Sequence, residues 1–284
     1  MNHDFLSNFG IGATEVLSLR VSVAALVRVL FKHPEDGTTM LALERKATLH
    51  ETEIKFEISV KAQPFGGAIR ILDLKSVKNI VGDFHFDSER SRSEQDFRIF
   101  IQPESWLALR SFCIEHLSRP DNSVFETEPV RELAEEFFDT LKIHIRPKDW
   151  VIRPLATILE ENPTPTDNIY ASGHPTARIY RTFEAMISDP SLIKAMMDNN
   201  KSLSTQNLCD LAIVDAQNGG KGRANAVLVL PLKRLRQYYC ALPLSKRHSP
   251  VIFMKNRLAE TVPAVLDGVA IPKYQRLSPL PNSQ

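Results

Sequence analysis

Cysteine is scarce in this chain of 284 residues: Cys113, Cys209 and Cys240 are far apart, odd in number and set in apolar surroundings. With no C-x-x-C pair, the spacing fits buried thiols in a reducing compartment and speaks against disulfides or a zinc site. Net charge is nearly absent too, at +1 with 43% hydrophobic residues, so long disordered stretches are excluded and an ordinary globular protein is expected. No apolar run approaches 18 residues, and the N-terminus lacks the basic, apolar and small-residue pattern of a secretory signal. These absences predict a cytoplasmic protein with no membrane partner. There is no internal repeat and no clear linker, so the organisation expected is one domain over 1–284.

What is present is clearest at F-E-T-E-P-V-R-E-L-A-E-E-F-F-D, from Phe125 to Asp139. At 100° per residue Val130, Leu133, Ala134, Phe137 and Phe138 share one arc, and Glu132, Glu135, Glu136 and Asp139 share the opposite one. Thr127 is the expected N-cap, with Glu128 and Pro129 suited to the first turn. Four clustered carboxylates cost a helix roughly a few tenths of a kcal/mol per i,i+4 pair. A hard divalent cation such as Mg²⁺ or Mn²⁺ would turn that repulsion into attraction. A solvated acidic face is the plainer alternative.

The order R-E-L-A-E-E at Arg131 to Glu136 resembles the second half of the Nudix box, G-x5-E-x7-R-E-U-x-E-E-x-G-U, and Q-P-F-G-G upstream resembles that family's P-G-G turn. The resemblance implies a Nudix-like α/β/α sandwich of α+β type with a mixed sheet. It implies that Glu132, Glu135 and Glu136 bind catalytic divalent metals, that the Gly67 carbonyl adds a ligand, and that Arg131 belongs to the catalytic set. Gly67 and Arg131 stand 64 positions apart against 14 in the family pattern. Residues 68–125 therefore read as an insertion, serving as a lid or a homodimer contact. The glutamate expected eight positions before Arg131 is Ser123, and the glycine after the paired glutamates is Phe138. Glu126 or Glu128 is then available to hold the arginine.

Along the chain, 18–31 is β-branched and apolar, predicting a strand that turns at Pro34 to Gly37 into a second strand. Phe56 to Ala62 alternates as a third strand, running into the Gly66-Gly67 turn. Within the insertion, Phe97 to Ile101 reads as a strand, Ser105 to Leu117 as a helix, and the polar stretch 83–96 as a loop. Strands are expected at 149–159 and 176–187, joined by a loop that starts at Glu160 and Glu161, candidates for an additional base, with Glu184 a similar one. A helix is expected at 189–200, and two strands at 209–215 and 226–231 joined as a hairpin. The final helix is expected at 256–266. Residues 188–284 would complete the fold.

From Ala216 to Ala259 there are nine basic residues and no acidic one. Arg223, Lys233, Arg234 and Arg236 are its candidates for holding substrate phosphates. Three functions follow as expectations: hydrolysis of a nucleoside diphosphate linked to another moiety, a turnover-deficient nucleotide-binding sensor, or nucleic-acid binding through the basic segment.

Overall fold

The computed structural model describes residues 18–51, 55–119, 122–160, 162–166, 171–232, 251–254, 262–263 and 273–275. The chain opens with β1 (Leu19–Lys32), β2 (Thr39–Glu51), β3 (Lys55–Gln63) and β4 (Phe65–Ala68). The chain continues with α1 (Leu74–Val81), β5 (His85–Phe86), α2 (Glu89–Glu94), β6 (Arg98–Ile101) and α3 (Trp106–Leu117). Next come α4 (Val130–Leu141), β7 (Trp150–Glu160), β8 (Thr164–Pro165), β9 (Pro175–Ile187), α5 (Pro190–Ser202) and α6 (Thr205–Gln217). The described strands end with β10 (Arg223–Pro231), β11 (Val251–Met254), β12 (Val262–Pro263) and β13 (Lys273–Gln275).

The strands form one mixed sheet with the central order β11-β7-β9-β1-β2-β3-β12. The 14-residue β1 organises it, because its apolar and β-branched residues are buried on both faces. One edge of β1 pairs parallel with β9 from Arg20 to Leu30, while the other is tiled in turn by β6, β4 and β2. Four partners on one strand, one parallel and three antiparallel, bring distant parts of the chain within two strand spacings, roughly 10 Å. This is an α+β architecture with helices on the sheet. Among the described residues no helix is long and apolar enough to cross a membrane.

Helices α1, α3, α4 and α5 bury Val77, Trp106, Leu109, Leu133, Phe137 and Met196 against Val21, Val23, Phe65, Ile99 and Ile179 of the sheet. Leu26, Leu30, Leu41, Leu43, Ile158 and Tyr180 cluster separately, and α6 packs Leu208, Cys209 and Ala212 on Ala47, Val60 and Ala226. Cys113 and Cys209 are buried free thiols, as expected, and Cys240 lies outside the described residues.

Several expectations need correction. Helix α4 begins at Val130 with Pro129 at the cap and no side-chain cap bond, so Thr127 does not cap it. The preceding residues are held extended, by the Ile71–Phe125 bridge and the Glu126 N–H donating to the Arg70 carbonyl at 2.9 Å. Its apolar face is also narrower, since Val130 and Phe138 are exposed. Gly66 and Gly67 lie in a strand hydrogen-bonded to β1 rather than in a free turn. The 83–96 stretch is ordered as β5 and α2, the helix capped by the Ser88 side chain.

The expected strand at 209–215 is helix α6, so the 209–231 hairpin does not exist. Ser204 caps that helix by accepting from the Asn207 N–H at 3.1 Å, and β10 pairs instead with β2. Leu208, Cys209 and Ala212 recur at helical spacing, which outweighs the strand propensity of Leu211 to Val214. The loop after Glu160 contains β8 paired with β9. Most of the 256–266 helix lies outside the described residues, and Val262–Pro263 within it is a strand on β3.

Candidate functional site

The site is built where α4 lies on β4. Phe65 of β4 and Phe137 of α4 are both fully buried with ring centroids 4.6 Å apart. Burying two such rings contributes about 1.5–3 kcal/mol each, with about 1 kcal/mol more from the aromatic pair. That contact sets the height of the helix over the strand. Phe65 and Gly67 alternate onto the same strand face, so Gly67 meets the helix turn containing Glu132 and Glu136.

The approach is close enough to demand glycine. A β-carbon on Gly67 would stand 1.8 Å from Glu132 Oε2, and one on Gly66 would stand 2.0 Å from the Ala25 main-chain oxygen. Gly66 also has φ +129°, a conformation L side chains rarely adopt. Its N–H donates to Glu136 Oε2 at 2.5 Å. Two residues of β4 therefore touch two glutamates of α4 across more than sixty positions of sequence.

Arg131 ties the helix start together. Its Nε donates to Glu126 Oε2 at 2.9 Å, and its Nη1 stands 2.5 Å from Glu132 Oε1 and 3.4 Å from Glu135 Oε1. Burial works against the guanidinium charge, but the Glu126 bond and the charges of Glu132, Glu126 and Glu135 outweigh it and hold the pKa above the ordinary arginine value. Glu126 thus supplies the carboxylate that holds the arginine. Glu135 is exposed and points its charge at Arg131 from outside.

Two carboxylates that sequence reasoning missed add to the negative charge. Glu44 of β2 is 1% exposed, accepting from Gln63 Nε2 at 2.9 Å with Lys46 Nζ at 3.4 Å. Burial, and after it the charge of Glu44, push the Glu136 carboxyl well above the usual carboxylate range, while the Gly66 amide and Lys46 pull it back less. Glu132 is raised chiefly by burial, opposed by Arg131 and reinforced by Asp96 and Glu135. Charge thus couples Glu132 to Asp96, and Glu136 to both Glu44 and Glu132. Glu44 shares its face of β2 with the fully buried Ala42, but no sequence pattern singled it out. No pattern singled out Asp96.

Among the described residues no three His, Cys, Asp or Glu side chains lie close enough together to hold a metal ion. The carboxylates are instead held apart on protein partners, Glu132 on Arg131 and Glu136 on the Gly66 amide. Arg223 is exposed at the start of β10, four residues before Val227, the register partner of Glu44, and so roughly 13 Å away along the strand. Lys233, Arg234, Arg236 and Glu161 lie outside the described residues. Glu160 is 2% exposed at the end of β7 rather than on a loop, 3.3 Å from Arg178 Nη1. Arg178 alternates with Ala177 and Ile179, which pack toward the helices, so Glu160 belongs to the opposite face. Glu184 is bound by Arg28 and Arg153 on that same side. Neither stands where a base for this site would.

A cavity of about 650 Å³ opens elsewhere, lined by Leu74, Lys75, Phe84, His85, Phe86 and Arg92 among others, and Glu132, Glu135 and Glu136 are not among its lining residues. Compared with known protein families, curated proteins and solved structures, the chain matches none.

Proposed function

We propose that this chain is a Nudix-type hydrolase that cleaves a phosphoanhydride in a nucleoside diphosphate linked to another moiety, with Mg²⁺ or Mn²⁺. The observation that carries the reading is the contact of Gly66 and Gly67 with Glu136 and Glu132, despite the long insertion between them. The donor set fits a hard cation in kind: carboxylate oxygens and a main-chain carbonyl, crowded with negative charge that costs free energy while it stays uncompensated. Glu132, Glu136 and the Gly67 carbonyl would hold the ion, with Glu135 joining from the exposed side. Glu132 must leave Arg131 to do so, because as they stand the carboxylates are held apart.

A bound divalent ion supplies charge neutralisation of the diphosphate and an acidified water. The remaining tasks fall to the chain. Arg131, released by Glu132 but still held by Glu126, keeps the helix start in place. Glu136, seated on the Gly66 amide, would have to be ionised to hold the cation, whose charge would offset the burial that otherwise favours its protonated form. The basic segment from Arg223 to Arg236 would hold the remaining phosphate charge.

The test is to incubate the protein and Glu136→Gln with Mn²⁺ and a panel of dinucleotides, nucleotide sugars and nucleoside triphosphates. Hydrolysis of at least one class is expected, falling on the order of 10²-fold or more in Glu136→Gln. An intact panel, with metal binding unchanged by the substitution, sinks the reading. Ser123 and Phe138, which stand where the family pattern has glutamate and glycine, favour a second reading: a pocket that binds nucleotide without turnover. Ligand-induced thermal stabilisation with no product selects it.

A further inference from the structure

We propose that the cavity between α1, β5 and α2 binds a small aromatic anion with a single negative charge, its ring against Phe84 and Phe86 and its charged group on Lys75. Glu132, Glu135 and Glu136 do not line this cavity, so the hydrolase reading can fail without touching the proposal. Its volume of about 650 Å³ lies in the range of small-molecule pockets. The fold holds its walls in place. Phe86 pairs with Ile99 of β6, and Asp87 next to it fixes the end of β5. Asp87 Oδ2 accepts from Arg20 Nε at 3.0 Å and Nη2 at 2.7 Å, and Oδ1 accepts from Ser91 Oγ at 2.7 Å. These buried bonds tie β5 and α2 to the central strand β1.

Leu74, Phe84 and Phe86 are half-buried: each packs against the main core and also lines the cavity. The two phenyl rings stand 5.6 Å apart at 74°, an edge-to-face pair. Such a pair offers an incoming ring both stacking and edge-on partners, a preference that an alkyl chain does not share. Charge sets the rest of the ligand. With His85 neutral, the charged lining residues are Lys75, Lys78, Arg92, Asp83 and Glu89. Lys78 Nζ stands 2.7 Å from Asp83 Oδ1, and Arg92 Nη1 stands 3.6 Å from Glu89 Oε2. Lys75 is the lining cation left outside these pairs. Asp73, the acid on its own helix, is already engaged, with Oδ1 accepting from the Ser76 N–H at 3.1 Å and Oδ2 from Ser76 Oγ at 2.6 Å. The cavity is therefore one positive charge in excess, and its complement is a monoanion rather than a diphosphate.

The probe is anilinonaphthalene sulfonate, an aromatic monoanion whose fluorescence rises on binding, titrated into the full chain and into variants that circular dichroism shows to be folded. Lys75→Gln is expected to weaken binding ~3-fold or more, and Lys75→Glu on the order of 10-fold, since one removes an exposed cation and the other reverses its charge. The uncharged N-phenylnaphthylamine should bind Lys75→Gln as it binds the parent. Phe86→Leu keeps the apolar bulk but loses the ring, and is expected to weaken the sulfonate ~3-fold or more. In displacement, naphthoate should act at lower concentration than decanoate, a monoanion without a ring. Leu211→Ser, at an exposed apolar residue of α6, should bind like the parent. The proposal is overturned if the parent does not bind the probe, if the Lys75 variants or a folded Phe86→Leu bind it like the parent, or if decanoate displaces it better than naphthoate. Equal weakening by Leu211→Ser overturns it as well. If Phe86→Leu does not fold, the Lys75 variants and the naphthoate comparison decide.

Discussion

The neighbouring glycines of β4 are constrained by different kinds of atom. The group in the way at Gly66 is main-chain oxygen of the central strand, and the backbone there is already at a positive φ. At Gly67 the obstruction is the end of the Glu132 side chain, which can swing away. Gly66→Ala is therefore expected to destabilise by about 3 kcal/mol or more, and Gly67→Ala by about 1 kcal/mol, while the latter costs Mn²⁺ affinity by displacing Glu132. Urea unfolding of both variants beside Mn²⁺ titration checks the ranking, and a Gly67→Ala as damaging to stability as Gly66→Ala would contradict it. The residue scale is also where a short pattern pointed furthest: it singled out Glu132, Glu136 and Gly67, which the structure brings into contact across α4 and β4, and it offered Glu126 or Glu128 for Arg131, of which Glu126 makes the bond. Asp96 and Glu44 were not singled out, because each acquires its neighbours only through strand pairing.

At the scale of elements, the outcome depended on how much of the periodicity was unambiguous. Long β-branched runs such as β1, and Asp189 with Pro190 opening α5, were legible because local preference and tertiary context agree. Helix α6 was misread because L-A-I-V within it has strand propensity. Its start depends on one side chain, Ser204, which accepts from the Asn207 amide. Ser204→Ala is expected to cost about 1 kcal/mol, measured by urea denaturation, and Ser204→Asp to restore most of it. No change in either variant would argue against a capped helix at 205–217. The start of α4 was misplaced for a different reason: Phe125 and Glu126 are recruited by the backbone of Ile71 and Arg70, and no local signal reports a partner fifty residues away.

For the molecule as a whole, the packing of α4 on β4 gathers negative charge into a half-buried cluster, and this gives a pH signature. Glu136 has its folded pKa raised above the ordinary value of 4.5, so the folded state holds its proton more tightly than the unfolded chain. Its contribution to stability is fully present below that ordinary value and is lost as pH rises through the folded one. With chelator present, Glu136→Gln should gain on the parent between pH 5 and pH 8, as followed by denaturant midpoints. A parent-minus-variant difference that stays flat over that range contradicts the burial of this carboxyl. Saturating Mn²⁺ should shrink the gain, because a cation that binds only the folded state stabilises it by mass action.

The sequence by itself determined which segments could be long strands or amphipathic helices, that one helix carries paired glutamates behind an arginine, and that two adjacent glycines precede it. Those are properties of composition and spacing within about fifteen residues, where the periods of helix and strand are directly visible. Only the tertiary structure decided that β1 pairs on one edge with three strands in turn, that the Phe65–Phe137 contact lowers α4 onto Gly67, and that Glu132 feels the charge of Asp96 and Glu136 that of Glu44. Such contacts are set by register and by the packing of side chains far apart in the chain, and a single side chain's neighbours in space leave no mark on its neighbours in sequence.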